Sequence, residues 1–339
     1  MYQSENMSKI SEGPRRILNV VGTRPNLVKI APIMEAMSDS PALEPRLVHT
    51  GQHYDENLSK VFFQELAIPE PDVYLGVGSG SHAEQTGQIM MALEAVYAAE
   101  APDAVLVVGD VNSTVAAALT ASKMGIPVIH LEAGLRSYDR DMPEEINRVV
   151  TDSISDLCLT SCADSEANLV REGVPRERIR FVGNVMIDTL MSHRERAAGL
   201  DMPARYGLAE GEYGLMTLHR PSNVDVPEVL KGIVGALLEI QEALPLLFAM
   251  HPRTRQRLQT FGLWARLIKV SQVVVTEPLG YLEFLNLMSS ARIVLTDSGG
   301  IQEETTALGV PCLTLRNNTE RPVTITKGTN RLVGNDPAR

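Results

Sequence analysis

The chain has 339 residues, is 44% hydrophobic and carries a formal net charge of −11. That length suits two domains rather than one, and the apolar share is enough for two cores. The acidic balance excludes a nucleic-acid surface, which needs a basic footprint, and the absence of a long apolar run excludes a bilayer span.

The start, MYQSENMSKISEGPRR, is polar and reads as a loose cytosolic tail with no signal core. Ile17–Gly22 (ILNVVG) then reads as a strand, and a helix follows with Pro25 in its first turn. Arg46–Gly51 is the next strand and Asn57–Leu66 a helix. After the turn-forming GVGSGSHAEQ, Glu84–Tyr97 reads as a long helix. Ala104–Asp110 (AVLVVGD) has the continuous apolar run of a parallel strand covered on both faces. Asn112–Met124 is a helix, Pro127–Glu132 a strand, and a further helix opens at Glu144 and Glu145 after Pro143. Leu157–Ser161 and Arg180–Gly183 complete this half.

Met191–Gly211 is charged, contains Gly199, Pro203 and Gly211, and breaks the rhythm. The boundary between domains 1–190 and 191–339 is placed there. Strands then recur at Leu215–His219, Leu246–His251, Val273–Glu277, Ile293–Asp297 and Cys312–Leu315. Helices at Glu228–Ala243, Tyr281–Ser289 and Ile301–Leu308 separate them. Tandem βα alternation predicts two doubly wound, Rossmann-like parallel sheets. Ligands bind such sheets at the carboxyl ends of the strands, and the cleft between the domains is the expected site.

Chemically competent residues follow nearly every strand: Thr23-Arg24, Gln52-His53, Asp110, Glu132, His219-Arg220, His251 with Arg253, and Asp297–Gly300. In DSGGIQEE, Gly299 and Gly300 would let backbone N–H groups approach an anion at a helix N-terminus, with Ser298 beside them. Glu304, about two turns in, is placed to receive ribose hydroxyls; the plainer alternative is an ordinary βα turn. Arg24 and Lys29 in GTRPNLVK suit phosphate contact, against solvated surface charge. Asp110 either caps the next helix or does chemistry. Glu132 follows PVIHL and precedes Ala-Gly, a poor place for a charge without a partner, for which Arg136 or His130 is the candidate. Glu144 and Glu145 fit the favourable end of a helix dipole. His219 reads as ligand or scaffold about equally, and His251 similarly. The recurring Arg24, Lys29, Arg136, Arg148, Arg220, Arg253 and Arg321 predict a locally positive site inside an acidic shell. Cys158, Cys162 and Cys312 are odd in number and lack metal-site spacing, so inert thiols and no metal are expected.

With these motifs assembled, the sequence resembles the non-hydrolysing UDP-N-acetylglucosamine 2-epimerases from about Ile17 to Gly334. GTRP, GQH, HLEAGLRS, PEEINR, EPL-x-Y, DSGG-x-QEE and TERP occur in the family's order. The resemblance implies a glycosyltransferase-B-like fold and interconversion of UDP-N-acetylglucosamine and UDP-N-acetylmannosamine for surface polysaccharides. It implies no cofactor, and a cytoplasmic homodimer whose one small-molecule partner is the UDP-sugar. It assigns Asp110, Glu132, Glu144 and His219 to catalysis. Arg24, Ser298, Gly299, Gly300 and Arg321 would hold the diphosphate, with Lys29, Arg136, Arg220 and His251 as further contacts. Glu304 would take the ribose, and Leu279 and Phe284 the uracil. GQHYDENL and Glu84-Gln85 depart from members that bind a second, activating substrate molecule, so activation by substrate is not expected. Family members usually run past the position of Arg339, so a truncated chain is expected. The rivals are a hydrolysing 2-epimerase, an epimerase of a modified sugar, a glycosyltransferase of the same fold and a catalytically inactive UDP-sugar-binding protein.

Overall fold

The computed structural model describes residues 13–52 and 56–335. His53 and the first twelve residues of the polar tail lie outside them. The chain divides into two compact units, one of Met1–Leu135 with Asp139–Val185, the other of Arg136–Tyr138 with Met186–Arg339.

The first unit runs β1 (Arg15–Val21), α1 (Arg24–Ser38), β2 (Leu43–His49), α2 (Glu56–Glu65), β3 (Val73–Tyr74), α3 (His82–Glu100), β4 (Ala104–Val108) and α4 (Asn112–Lys123). It continues through β5 (Val128–Leu131), α5 (Pro143–Ile154), β6 (Leu157–Thr160), α6 (Ala163–Arg171) and β7 (Ile179–Phe181). The helix α7 (Val185–Ala198) leads into the second unit: α8 (Met202–Arg205), β8 (Gly214–Met216), α9 (Pro221–Val224), α10 (Pro227–Ile240), β9 (Leu246–Ala249), α11 (Pro252–Thr260) and α12 (Trp264–Ile268). After these come β10 (Val273–Thr276), α13 (Tyr281–Ser289), β11 (Ile293–Thr296), α14 (Gly299–Leu308), β12 (Cys312–Thr314), α15 (Val323–Thr326) and β13 (Asn330–Leu332).

Each unit holds one parallel sheet, ordered β3-β2-β1-β4-β5-β6-β7 in the first and β10-β9-β8-β11-β12-β13 in the second. The order reverses beside the first strand of each unit, between β1 and β4 and between β8 and β11. A doubly wound sheet presents its ligand site at such a switch point. The paired Rossmann-like units give the glycosyltransferase-B-like α/β fold.

The strands form where apolar runs can be covered twice. All five residues of β4 are buried. On one face Leu18, Val20, Val105 and Val107 meet α3 (Ile89, Leu93, Tyr97) and the alanine face of α4 (Ala116, Ala117, Ala118, Ala121). Alanine at those positions lets α4 lie close to the sheet. In the second unit Met216, Phe248 and Leu295 pack with Leu230, Val234 and Leu237 of α10. Among the described residues no helix is long and apolar enough to cross a membrane.

Met191–Gly211, where the strand–helix rhythm breaks, holds the end of α7 and then α8. α7 buries Val185, Met186, Thr189 and Leu190 and leaves Arg194, Glu195 and Arg196 in water. Several strands also stop before their polar ends. β4 closes at Val108, because Gly109 turns the chain into left-handed backbone (φ 67°).

Candidate active site

In the first unit the ends of β1, β4 and β5 converge. Lys29, one turn into α1, forms an ion pair with Glu132, and both side chains are buried. Taking these charges out of water is costly, and the pairing offsets that cost. A methyl group on Gly109 would lie 3.3 Å from both Glu132 Oε2 and Lys29 Nζ, so the pair rests against the residue preceding Asp110. Asn26 ties the same corner. Its Oδ1 accepts the backbone N–H groups of Gly22 and Thr23, each at 3.2 Å, and its Nδ2 donates to the Val108 carbonyl at 3.1 Å. Glu132 itself has φ 71°, a conformation that costs an L residue about 1–2 kcal/mol. Arg136 or His130 was the expected partner of Glu132; Lys29 is a cation at Glu132 that the sequence did not suggest. His130 is instead engaged with Asp152 (2.6 Å) and with the Gly109 carbonyl (2.7 Å).

Asp110 does not cap α4, whose cap position is Val111 and has no side-chain cap bond. It accepts Arg148 Nε at 3.0 Å and Nη2 at 2.7 Å through one oxygen, Oδ2. Arg148 is buried and also pairs through Nη1 with Glu145 at 2.5 Å. Glu144 is half-buried in the first turn of α5, where a carboxylate suits the helix dipole. The sequence put Arg148 among the basic residues of a positive site and Glu145 at a helix start, but did not pair them with each other or with Asp110. Their signal was the i, i+3 spacing of opposite charges in PEEINR.

In the second unit, His219 follows β8 and Asp297 follows β11, across the switch point. His219 Nδ1 lies 2.9 Å from Asp297 Oδ1. Asp297 is fully buried and also accepts the backbone N–H of His219 (3.0 Å to Oδ2), that of Arg220 (2.8 Å) and Asn223 Nδ2 (3.1 Å). Burial alone would raise its pKa. The charge and hydrogen bond of His219 and the two backbone donors outweigh that and hold it near 2. Asp297 thereby fixes the imidazole with Nε2 turned away from it. It had been noted only as a strand-end residue.

Ser298 takes the cap position of α14 but makes no side-chain cap bond, so its hydroxyl is not spent there. The two glycines answer to packing. A methyl on Gly299 would fall 2.4 Å from Glu320 Oε1, and one on Gly300 would fall 2.9 Å from Met186 Cε. Arg321 is buried between Glu303 (2.5 Å) and Glu320 (3.1 Å), and Arg316 meets Glu320 at 2.8 Å. Glu304 is buried, receives the Tyr281 hydroxyl at 3.2 Å, and has its pKa pushed up by burial to about 7.

Four of the seven recurring basic residues are therefore balanced by carboxylates of their own unit: Lys29, Arg148, Arg321, and Arg253, which pairs with Asp225. Arg24 begins α1 with its guanidinium 6.0 Å from the Phe62 ring centre. Arg136 is buried and belongs to the 136–138 segment of the second unit. Arg220 takes the cap position of α9. His251 caps α11, accepting Arg253 N–H at 3.2 Å, and its ring lies 5.9 Å from that of His219. Leu279 and Phe284 are half-buried around the start of α13. Glu84 and Gln85 have local duties. Glu84 closes the capping box of α3, and Gln85 ties Gly78 (2.8 Å) and Asn112 (2.8 Å). Cys158 and Cys312 are buried and Cys162 half-buried, all as free thiols.

A family model described as UDP-N-acetylglucosamine 2-epimerase matches residues 35–339. The chain is 46% identical over 322 residues to the UDP-N-acetylglucosamine 2-epimerase of Methanocaldococcus jannaschii, covering 94% of this chain and 88% of that protein. It is 42% identical over 323 residues to the UDP-2,3-diacetamido-2,3-dideoxy-D-glucuronate 2-epimerase of Pseudomonas aeruginosa, with 94% and 88% covered. The crystal structure of the Methanocaldococcus jannaschii enzyme in complex with UDP-GlcNAc and UDP matches with a TM-score of 0.91 at 45% identity, over 95% of this chain and 90% of that one.

Proposed function

The chain belongs to the UDP-N-acetylglucosamine 2-epimerase family, and from that premise we propose that it inverts C2 of UDP-N-acetylglucosamine by eliminating UDP and adding it back. The C2 proton has no neighbouring carbonyl, so direct removal and return would be slow. In the proposed route a carboxylate takes the C2 proton while the C1–O bond breaks and its electron pair leaves with UDP. The product, 2-acetamidoglucal, then receives a UDP oxygen at C1 and a proton at the opposite face of C2. Electrons balance without an oxidant or reductant.

Asp110 and Glu132 are the proton-transfer groups of this reading, with Glu144 as the third carboxylate. The observation that carries it is the fixed aim of the first two. Arg148 holds Asp110 by two bonds to one oxygen, and Lys29 holds Glu132 on a left-handed strand end. Groups so preorganised add only where the reacting atom is placed to match. His219, oriented by Asp297, stabilises the departing diphosphate, and the start of α14 with Ser298 and Arg321 binds it. Glu304 receives the ribose, and Leu279 and Phe284 flank the uracil. Arg24, Arg136, Arg220 and His251 complete the contacts. The enzyme works as a cytoplasmic homodimer on the free nucleotide sugar.

The test is UDP-N-acetylglucosamine in deuterated water. Deuterium should enter C2 of both epimers while the sugar stays on UDP. Asp110→Asn and Glu132→Gln should each slow this by about 100-fold or more. Absence of exchange, or free N-acetylmannosamine released with an equal amount of UDP, would defeat the proposal.

A further inference from the structure

The loops that carry Asp110 and Glu132 share one buried anchor. His130 lies in β5, fully buried, two residues before Glu132. Its Nδ1 is 2.6 Å from Asp152 Oδ1, and its Nε2 is 2.7 Å from the carbonyl oxygen of Gly109, the residue before Asp110. The other oxygen of Asp152 accepts the Gly134 backbone N–H at 3.1 Å, two residues beyond Glu132. Asp152 sits on α5 one turn after Arg148, so helical spacing puts both on one face. That face grips the Asp110 loop twice, by Arg148 directly and by Asp152 through His130.

Three residues at these strand ends lie in left-handed backbone: Gly109 (φ 67°), Glu132 (φ 71°) and Gly134 (φ 79°). Glycine has little preference of its own for that region, and glutamate disfavours it. The hydrogen bonds that meet Gly109 and Gly134 therefore decide the path of both loops. The chemistry of the anchor is also constrained. A carbonyl oxygen has only lone pairs, and an ionised carboxylate has no proton to give. Each contact of the ring therefore needs its own N–H.

We propose that His130 and Asp152 are positioning residues for the epimerisation: the imidazole donates from both nitrogens, to Asp152 and to the Gly109 carbonyl, and so fixes the aim of Asp110 and Glu132 at C2. This rests on the reading of Asp110 and Glu132 as the proton-transfer groups. His130 does not touch the sugar; it acts through the backbone on either side.

Two near-isosteric variants separate this role from general support of the core. In Asp152→Asn the amide oxygen can accept Gly134 N–H and the amide nitrogen can donate to Nδ1, leaving Nε2–H on Gly109, so all three contacts survive. kcat is expected to fall by clearly less than in His130→Asn. In His130→Asn the shorter amide reaches Asp152 but not Gly109. kcat should fall by about 10–100-fold, the range of an ångström-scale misplacement, with KM and the UDP dissociation constant within about threefold. His130→Gln, whose amide reaches Gly109, should recover part of kcat and serves if His130→Asn does not fold. With 15N-labelled histidine, His130 should show two ring N–H protons protected from exchange with water. A parental kcat in His130→Asn, an Asp152→Asn as impaired as His130→Asn, a loss expressed in KM, or a single protected ring proton would each overturn the proposal. Fully active Asp110→Asn and Glu132→Gln would sink the underlying assignment instead, and would leave the two ring protons in place.

Discussion

Asp297 and Glu304 stand seven residues apart and are both buried, yet their surroundings move them in opposite directions. Around Asp297 burial is outweighed by His219 and by backbone donors, and the pKa falls to about 2. Around Glu304 burial dominates, the Tyr281 bond offsets it only in part and Glu303 adds to it, so the pKa rises from 4.5 to about 7. The stability consequences have opposite signs. The contribution of Asp297 is present above its unfolded value near 3.8 and is lost as pH falls through about 2. That of Glu304 is full below about 4.5 and is lost as pH rises through about 7, on the order of 3 kcal/mol in all. Thermal stability should therefore decline between about pH 4.5 and 7, and Glu304→Gln should flatten the decline. A variant whose melting temperature falls over that range as steeply as the parent's would sink the assignment. Little of this was legible in DSGGIQEE, because the sign depends on burial and on Tyr281 and His219, which chain spacing does not place around the carboxylates. Glu132 illustrates the same division. Its burial could be read from the apolar run before it, whereas its cation, Lys29, lies 103 residues away.

Among elements, legibility followed burial. β4 and β5 were readable because residues covered on both faces are almost all apolar, and the register Val107↔His130 then fixes which polar residue is buried. β3 and β13, of two and three residues, are too short to show any period. α6 and α11 bury only a few residues, most of them polar, so their turns left little apolar pattern. Gly134 shows how much one helix contact depends on a missing side chain. It lies at φ 79°, and a methyl group there would stand 2.4 Å from the Ser165 carbonyl oxygen and 2.9 Å from Leu169 Cγ, both on α6. The first obstacle is backbone and cannot rotate away. Gly134→Ala should cost about 2–4 kcal/mol, seen as a lower denaturant midpoint at unchanged slope. A cost under about 0.5 kcal/mol would mean that α6 moves aside freely and that the left-handed turn is not a fixed support for Glu132.

At the scale of the molecule, two sheets of one strand order have been given different chemistry at the same topological place. The switch point of the first unit gathers carboxylates, each held by a buried cation: Asp110 by Arg148 and Glu132 by Lys29. That of the second gathers an oriented imidazole and a helix N-terminus, with Arg321 neutralised by Glu303 and Glu320. The net charge of −11 hid this, since a sum over the chain says nothing of pairing. A carboxylate that moves a proton only in the transition state contributes to kcat, whereas groups that grip the nucleotide contribute to ground-state binding. Substitutions should therefore divide by unit. Asp110→Asn and Glu132→Gln should lower kcat while leaving UDP affinity within about threefold. Ser298→Ala and Arg321→Lys should weaken UDP by about tenfold or more, since a lysine keeps the charge of Arg321 but not its fork of donors. Calorimetric titration with UDP alone distinguishes the two sets, because UDP lacks the C2 centre on which the carboxylates are proposed to act. If Glu132→Gln weakened UDP as much as Arg321→Lys did, the first unit would share the nucleotide grip and the division of labour would be wrong.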